Sequence, residues 1–235
     1  MLVKRNRPRA FEQRAGLSFL HRMTHSMVRA ILAASAGAHV VLWPAMWRFL
    51  RRTQHGWSKA VIVSTAAPRI GLALSFLGYA GWLLGSLGYA ANPRWPFFHP
   101  LSPRLFWPRA GLGLLFIGHG LVVWAALSLG PSFGLRPRII AEHRLVRHGP
   151  YRFVRHPLYT GLHALDLGTF VLAPCALFLL SLIAAVVGNT MRARAEERVL
   201  LARYGDAYRA YARSVGRFLP KVRRFNRRCA PPPPG

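Results

Sequence analysis

Residues 161–190, GLHALDLGTFVLAPCALFLLSLIAAVVGNT, decide the fold of this protein. As one α-helix, this apolar run would extend about 45 Å at 1.5 Å per residue, well beyond the roughly 30 Å of hydrocarbon in a bilayer. Pro174 interrupts the run, and a proline inside a helix removes a backbone hydrogen bond and breaks or kinks the helix. The stretch therefore predicts two tightly connected helices that form a membrane hairpin.

The charges on either side of this run support a hairpin. Residues 130–160 contain six lysines and arginines, and residues 192–228 contain twelve. A hairpin places both basic segments on the same side of the membrane, and cytoplasmic loops are the ones that carry excess Lys and Arg. A single crossing would instead translocate one of the two segments. We therefore expect both segments to face the cytoplasm.

Three more apolar blocks precede the hairpin, at residues 26–47, 70–91 and 110–129. Each approaches the roughly 20 residues that a membrane-spanning helix needs. The predicted fold is all-α: a polytopic membrane protein with about five transmembrane helices and a C-terminal cytosolic helical region. If the segments beside the hairpin are cytoplasmic, counting the spans backwards puts the six basic residues of segment 1–25 outside the cytoplasm. Either the first apolar block lies in the membrane interface, or segment 1–25 departs from the rule that basic segments stay in the cytoplasm.

The composition narrows the choice of partners. The net charge is +27 with only six acidic residues, yet 52% of the chain is hydrophobic. Because the basic residues lie between the apolar blocks, we expect contact with anionic lipids and not with nucleic acid. The two cysteines, Cys175 and Cys229, lie in different environments and predict reduced thiols with no metal site.

One face of the predicted hairpin is polar. In the sequence GPYRFVRHPLYTG, residues 149–161, Pro157 is acceptable only near a helix start, so a helix should begin at about residue 156. From there His156, Tyr159, His163 and Asp166 fall within about an 80° arc. Ionisable groups inside a membrane generally face a protein interior or a cavity. Asp166 could contact a substrate or simply hydrogen-bond to His163 or a neighbouring helix.

The segment after the hairpin contains two adjacent carboxylates, Glu196 and Glu197, among basic residues. Arg192 and Glu196 are spaced i, i+4, so a surface salt bridge worth about 0.5 kcal/mol or less would account for them. Their position, where a spanning helix leaves the bilayer, also suits a binding site.

Two blocks together resemble a known superfamily of membrane enzymes. The sequence HRLVRHGPYRFVRHPLYTG, followed about 30 residues later by RARAEERVLLARYGDAYRAYARSVGRFLP, resembles the isoprenylcysteine carboxyl methyltransferases and phospholipid methyltransferases. The resemblance covers residues 130–222, the expected methyltransferase core. Residues 1–129 would then be an N-terminal arm with three spans, and residues 223–235 a basic, proline-rich tail.

The resemblance implies S-adenosylmethionine as the cofactor and a lipophilic acceptor as the substrate. Arg136 stands where eukaryotic members have a glutamine, which places that one contact in question. The positions that correspond to the family's cofactor site are His143, Arg144, Leu145, Val146, Tyr151, His156, Pro157, Leu158, Tyr159 and Glu196.

The resemblance also suggests roles for the polar residues near the reacting groups. Arg192 matches an arginine implicated in substrate binding, and we expect Arg192 and His156 to act in catalysis. Arg192, His163 and Asp166 are the expected acceptor contacts. A carboxylate acceptor needs no general base; an amine acceptor would, and His156, His163 or Asp166 could serve. Methyl transfer itself requires no metal.

Two other functions are compatible with the sequence. A membrane reductase of the sterol-reductase type would share the C-terminal architecture but use a dinucleotide. A non-catalytic polytopic scaffold would use its basic surface to hold anionic lipid. For the methyltransferase we expect a multi-pass location in a bacterial inner membrane with the active site facing the cytoplasm; the acceptor could be a prenyl-cysteine carboxylate, a phospholipid amine or another small hydrophobic molecule.

Overall fold

The computed structural model describes residues 8–52, 60–61, 69–102, 107–130, 139–140 and 145–221. Within these ranges the chain is almost entirely helical, which confirms the predicted all-α class. The only strands described are the two-residue β1, Ala60–Val61, and β2, Ile139–Ile140, which pair antiparallel. The helices are α1 Pro8–Arg52, α2 Arg69–Ala91, α3 Pro108–Leu129, α4 Pro157–Leu172 and α5 Ala176–Ser214.

Four of these helices are long and apolar enough to cross a membrane: α2, α3, α5 and the Ser26–Met46 part of α1. Helix α4, at 16 residues, is shorter and reaches about 24 Å. Helix α5 has 39 residues, about 58 Å, so its polar C-terminal part must extend beyond the bilayer. Five helices with four long candidate spans agree with the predicted polytopic membrane protein.

The predicted hairpin is confirmed at both of its ends. Helix α4 begins at Pro157 with His156 as its N-cap, so the missing proline N–H leaves no intrahelical hydrogen bond unmade. The chain is non-helical at 173–175, next to Pro174, and α5 begins immediately afterwards. The loop after α2 is fixed to this tip, because the Leu101 amide donates to the Pro174 carbonyl at 2.8 Å.

Small residues bring the helices close together. Helix α2 packs against α5, and α3 packs against α4. At the second contact Gly118 faces Gly161, and a Cβ added to either one would lie 2.9 Å from the carbonyl oxygen of the other. Gly111 on α3 and Gly168 on α4, each about two helical turns from the first pair, form the same kind of contact. Such close backbone approach is typical of membrane helix pairs.

Large apolar side chains cover both the interior and the outer surface of the bundle. Leu32, Leu165 and Phe178 are fully buried, whereas Phe76 and Phe116 are among many exposed ones. Exposed apolar residues on a soluble protein would form an unusually large patch, but on a helix that spans a bilayer they contact lipid.

Helix α5 contains a kink that the sequence did not indicate. Gly205 adopts φ 51° and ψ −123°, a conformation that is essentially restricted to glycine. Beyond it, Tyr208, Tyr211 and Val215 form a small buried cluster against Leu145. The kink thus separates the long part of α5 from a short terminal segment, residues 206–214, that packs beside the connector before α4.

Candidate functional site

The two chain segments that flank the hairpin meet at its polar end. The Arg155 amide donates to the Gly216 carbonyl at 2.8 Å, and the His156 amide donates to the Arg217 carbonyl at 3.0 Å. The Thr160 hydroxyl adds a 2.9 Å hydrogen bond to the carbonyl of Phe218. The segment after α5 is therefore fixed against the start of α4, so the described parts of the two basic segments lie at the same end of the hairpin.

Glu197 connects these two segments through a network of charged groups. Arg217 donates to both of its carboxylate oxygens, at 2.9 and 2.7 Å, and Arg155 Nε donates at 3.0 Å. His156 Nε2 lies 3.1 Å from the same carboxylate, and the Glu197 side chain is only 15% exposed. Its acceptor capacity is largely used within the protein, so Glu197 orients His156 and leaves little for a ligand.

Glu196 has a different environment from its neighbour. It accepts a short hydrogen bond from the Tyr159 hydroxyl, and one oxygen lies 3.6 Å from His156 Nδ1. The Arg192 guanidinium lies over the Tyr159 ring, 5.4 Å from its centroid. The described residues contain no Arg192–Glu196 ion pair, so the simple i, i+4 salt bridge does not account for either residue. The Glu196 side chain remains 21% exposed.

His156 is buried between the two carboxylates. Burial alone would lower the pKa of its imidazole, but the contacts with Glu196 and Glu197 outweigh that effect and raise the pKa above its ordinary value of 6.5. His156 therefore holds its proton more firmly than an isolated histidine, with a hydrogen bond to Glu197 on one side and a longer 3.6 Å ionic contact with Glu196 on the other. A histidine that contacts two carboxylates is better suited to orienting them than to accepting a proton from a substrate.

An apolar chamber of about 530 Å³ adjoins this polar cluster, between α1, α2, α4 and α5. Tyr159 and Arg192 line the end nearest the cluster, and Asp166 lies two helical turns farther along α4. The remaining lining residues are His39, Trp43, Pro44, Ser75, Phe76, Tyr79, Trp82, Leu158, Leu162, Leu165, Ala185 and Asn189.

The other predicted cofactor residues lie around the same end of the hairpin. Tyr151 is buried, and its carbonyl accepts a 2.6 Å hydrogen bond from the Tyr211 hydroxyl. Leu158 lines the chamber, Pro157 is buried at the start of α4, and Val146 is half-buried in the connector. His143, Arg144 and Arg136 lie outside the described residues.

The two predicted substrate contacts on α4 have different partners. His163 Nε2 lies 3.3 Å from the Asn189 amide nitrogen, and its ring contacts Phe218. Asp166 is 6% exposed, and its Oδ1 has no hydrogen-bond partner among the described residues. A hydrogen bond between Asp166 and His163, one of the alternatives left by the sequence, does not form.

Several residues of the site were not identified from the sequence. Arg155 and Arg217 looked like ordinary members of a basic surface, and Asn189 like a polar residue at the end of a span. Their partners are 20 to 42 residues away along the chain. The available signal was the acidic pair itself, because a buried carboxylate needs cationic partners.

Sequence comparison identifies the family of this chain. The sequence profile of the isoprenylcysteine carboxyl methyltransferase (ICMT) family matches residues 111–202. A probable protein-S-isoprenylcysteine O-methyltransferase of Oryza sativa subsp. indica is 32% identical over 129 residues, which are 53% of this chain and 67% of that protein. This chain belongs to the isoprenylcysteine carboxyl methyltransferase family. The resemblance predicted from the hairpin and its two flanking motifs is confirmed.

Two further relatives define how far the similarity reaches. The protein-S-isoprenylcysteine O-methyltransferase of Schizosaccharomyces pombe is 32% identical over 121 residues, 48% of this chain and 49% of that protein. The enzyme of the same name from Tribolium castaneum is 28% identical over 130 residues, 54% of this chain and 46% of that protein. The match thus spans about half the length of these two relatives. Membership of the family favours a methyltransferase over the reductase and scaffold alternatives.

Proposed function

We propose that this protein is an integral-membrane methyltransferase that uses S-adenosylmethionine to methylate a lipophilic acceptor. The observation that carries the proposal is the double contact of Tyr159, which donates to Glu196 in the polar cluster and also lines the apolar chamber. One side chain therefore joins a polar site suited to a charged methyl donor to an apolar space suited to a lipid.

The polar end of the hairpin has the chemistry that the methyl donor requires. S-adenosylmethionine carries a sulfonium and an ammonium, which carboxylates and aromatic faces stabilise, and it supplies an electrophilic methyl group when bound. Glu196 is partly exposed, with the rings of His156 and Tyr159 stacked beside it 5.7 Å apart. We assign donor binding to this cluster together with the predicted positions His143, Arg144, Leu145, Val146, Tyr151, Pro157 and Leu158.

The chamber residues have a separate role, the alignment of the acceptor. Arg192 lies at the junction of chamber and cluster, where its guanidinium can pair with an acceptor carboxylate. The apolar walls exclude water and hold the acceptor chain in place. A carboxylate acceptor needs no general base, so alignment and desolvation provide most of the rate acceleration. The names of the relatives make an isoprenylcysteine carboxylate the first acceptor to test.

The basic surface around the site supports a position at the cytosolic face of a membrane, which we propose to be a bacterial inner membrane. Arg194, Arg198 and Arg213 are exposed on the part of α5 that extends past its apolar residues. Each basic residue near an anionic lipid surface contributes about 1 kcal/mol of binding. We propose that these residues hold the polar end of the hairpin against anionic headgroups, with the methyl donor entering from the cytosol.

The test is methyl transfer by the purified protein in lipid nanodiscs. With methyl-labelled S-adenosylmethionine and N-acetyl-S-farnesylcysteine, we expect a base-labile methyl ester, and a host-lipid extract tests other acceptors. Glu196→Gln should weaken donor binding severalfold or more without affecting membrane insertion, whereas Arg198→Gln, on the same helix, should leave it unchanged. Saturable binding of a reduced dinucleotide with none of S-adenosylmethionine would overturn the proposal.

A further inference from the structure

The apolar chamber contains one carboxyl group that the proposed methyl transfer does not use. Asp166 lines the chamber and is 6% exposed, and the structure gives its carboxyl no hydrogen bond to any described residue. A buried polar group without a partner costs roughly 1–3 kcal/mol, so in folded proteins such a group is normally paired. An unpaired carboxyl at the wall of a ligand-sized chamber is a site where a ligand can supply the partner.

Several polar groups on the helices around the chamber already have partners. The Ser75 hydroxyl donates to Asn189 Oδ1 at 2.9 Å, and the Asn189 amide nitrogen contacts His163. Trp82 Nε1 donates to the Thr169 hydroxyl at 2.8 Å. In contrast to these groups, the Asp166 carboxyl has an oxygen, Oδ1, without a hydrogen-bond partner among the described residues.

Asp166 also lies at a defined distance from the reacting end. Seven residues separate it from Tyr159 on α4, which corresponds to about 10 Å along the helix axis. An extended acceptor that places its methylated group beside Tyr159 and Arg192 would bring an atom about eight bonds farther along its chain close to Asp166. A plain hydrocarbon chain would leave this carboxyl unpaired at that point.

We infer that the acceptor is a bifunctional lipophile: a chain that carries, about 10 Å from the methylated atom, a hydroxyl or amine that donates a hydrogen bond to Asp166. This inference rests on the proposed function and specifies its substrate class. Asp166 then acts as a specificity-determining residue, because a site built to pair a polar group discriminates strongly against the analogue that lacks it.

Three matched acceptors test the inference: N-acetyl-S-farnesylcysteine, its analogue with a mid-chain hydroxyl and its analogue with a mid-chain primary amine. Binding to the protein in nanodiscs and kcat/KM for methyl transfer are both measured. We expect the wild type to prefer at least one polar analogue by about tenfold, and Asp166→Leu to abolish or reverse that preference. Leu162→Met, which changes the same chamber without changing its polarity, should retain it.

Thermal stability distinguishes a ligand-directed carboxyl from a structural one. Since Asp166 has no partner in the described structure, Asp166→Leu should leave the ligand-free protein equally stable or more stable. Loss of stability in this variant, or equal binding of all three acceptors by the wild type, would overturn the inference. Absence of methyl transfer from all three would count against the proposed function alone, because the binding preference still tests the role of Asp166.

Discussion

The two adjacent glutamates have separate tasks although they are neighbours in sequence. Glu197 is bound by Arg155, Arg217 and His156, while Glu196 accepts from Tyr159 and stays partly exposed. Consecutive residues on a helix point about 100° apart, so one carboxylate faces the chain segment after α5 and the other faces α4. Glu197 stabilises the site, and Glu196 remains available for the proposed methyl donor.

Removing the Glu197 carboxylate should therefore destabilise the folded protein. Glu197→Ala leaves two arginines without their anion in a largely buried position, and breaking such a network costs about 3 kcal/mol. Unfolding in mixed detergent measures the loss. Asp206→Asn removes the exposed Asp206–Arg209 pair, whose side chains are 91% and 58% exposed, and should change stability by less than about 0.5 kcal/mol. Equal effects would contradict this division.

The raised pKa of His156 predicts a pH dependence. A group whose folded pKa exceeds its unfolded value contributes stability that is fully present below the unfolded value, here 6.5, and is lost as pH rises through the folded pKa. The melting temperature of the purified protein should fall as pH is raised from about 6.5 into the alkaline range. His156→Gln should flatten this part of the profile, and a variant with the wild-type slope would show that another group is responsible.

At the scale of the elements, the sequence predicted the parts of the fold that depend on single residues. Pro157 marked the start of α4 and Pro174 the turn of the hairpin, because proline restricts its own backbone whatever surrounds it. The kink at Gly205 was not predictable in this way, since glycine permits many conformations and requires none.

The contacts of the site illustrate the same limit. Helical spacing gave the polar face of α4 and the pair Arg192 and Glu196, but it could not reveal that Glu196 contacts Tyr159 and Glu197 contacts Arg155. These contacts depend on how the two segments beside the hairpin pack together. The sequence could therefore indicate which side chains can bind or react, whereas the partner of each side chain depends on the tertiary structure.

The crossing of α3 and α4 gives a prediction with a control on the same helix. A methyl group on Gly118 would lie 2.8 Å from the Leu165 side chain and 2.9 Å from the Gly161 carbonyl oxygen. Gly118→Ala should therefore force the helices apart and cost about 1–3 kcal/mol. Gly120, two residues along, has nothing described within 4 Å of such a methyl group. Gly120→Ala should be neutral or slightly stabilising in the same unfolding assay, because alanine favours helix.

At the scale of the whole molecule, the position of the first helix bears on the conflict with the charge rule, in which the predicted topology puts the six basic residues of segment 1–25 outside. The Arg29 side chain donates to the Ala90 and Ala91 carbonyls at 2.8 and 3.1 Å, so the start of the first candidate span lies beside the end of α2. Arginines commonly satisfy the last carbonyls of a helix in this way. Helix α1 thus runs antiparallel to α2 and begins on the side of the bundle opposite the polar cluster, and its packing favours a span over an interfacial helix.

The Ser26 end of this span and the polar cluster therefore lie at opposite ends of the bundle. The sequence has six basic residues before the span, and it has a larger basic set, six and twelve residues, in the two C-terminal segments. The larger set should determine the orientation, because loops rich in Lys and Arg stay in the cytoplasm.

Single cysteines report the orientation when they are introduced into a background of Cys175→Ala and Cys229→Ser. Asp206→Cys lies at the cluster end on a 91% exposed side chain, and Leu101→Cys, 50% exposed, lies at the hairpin tip. A membrane-impermeant maleimide added to intact cells should label position 101, and position 206 only after permeabilisation. The reverse pattern would place the polar cluster outside the cytoplasm, away from the supply of S-adenosylmethionine, and would contradict the proposed entry of the methyl donor.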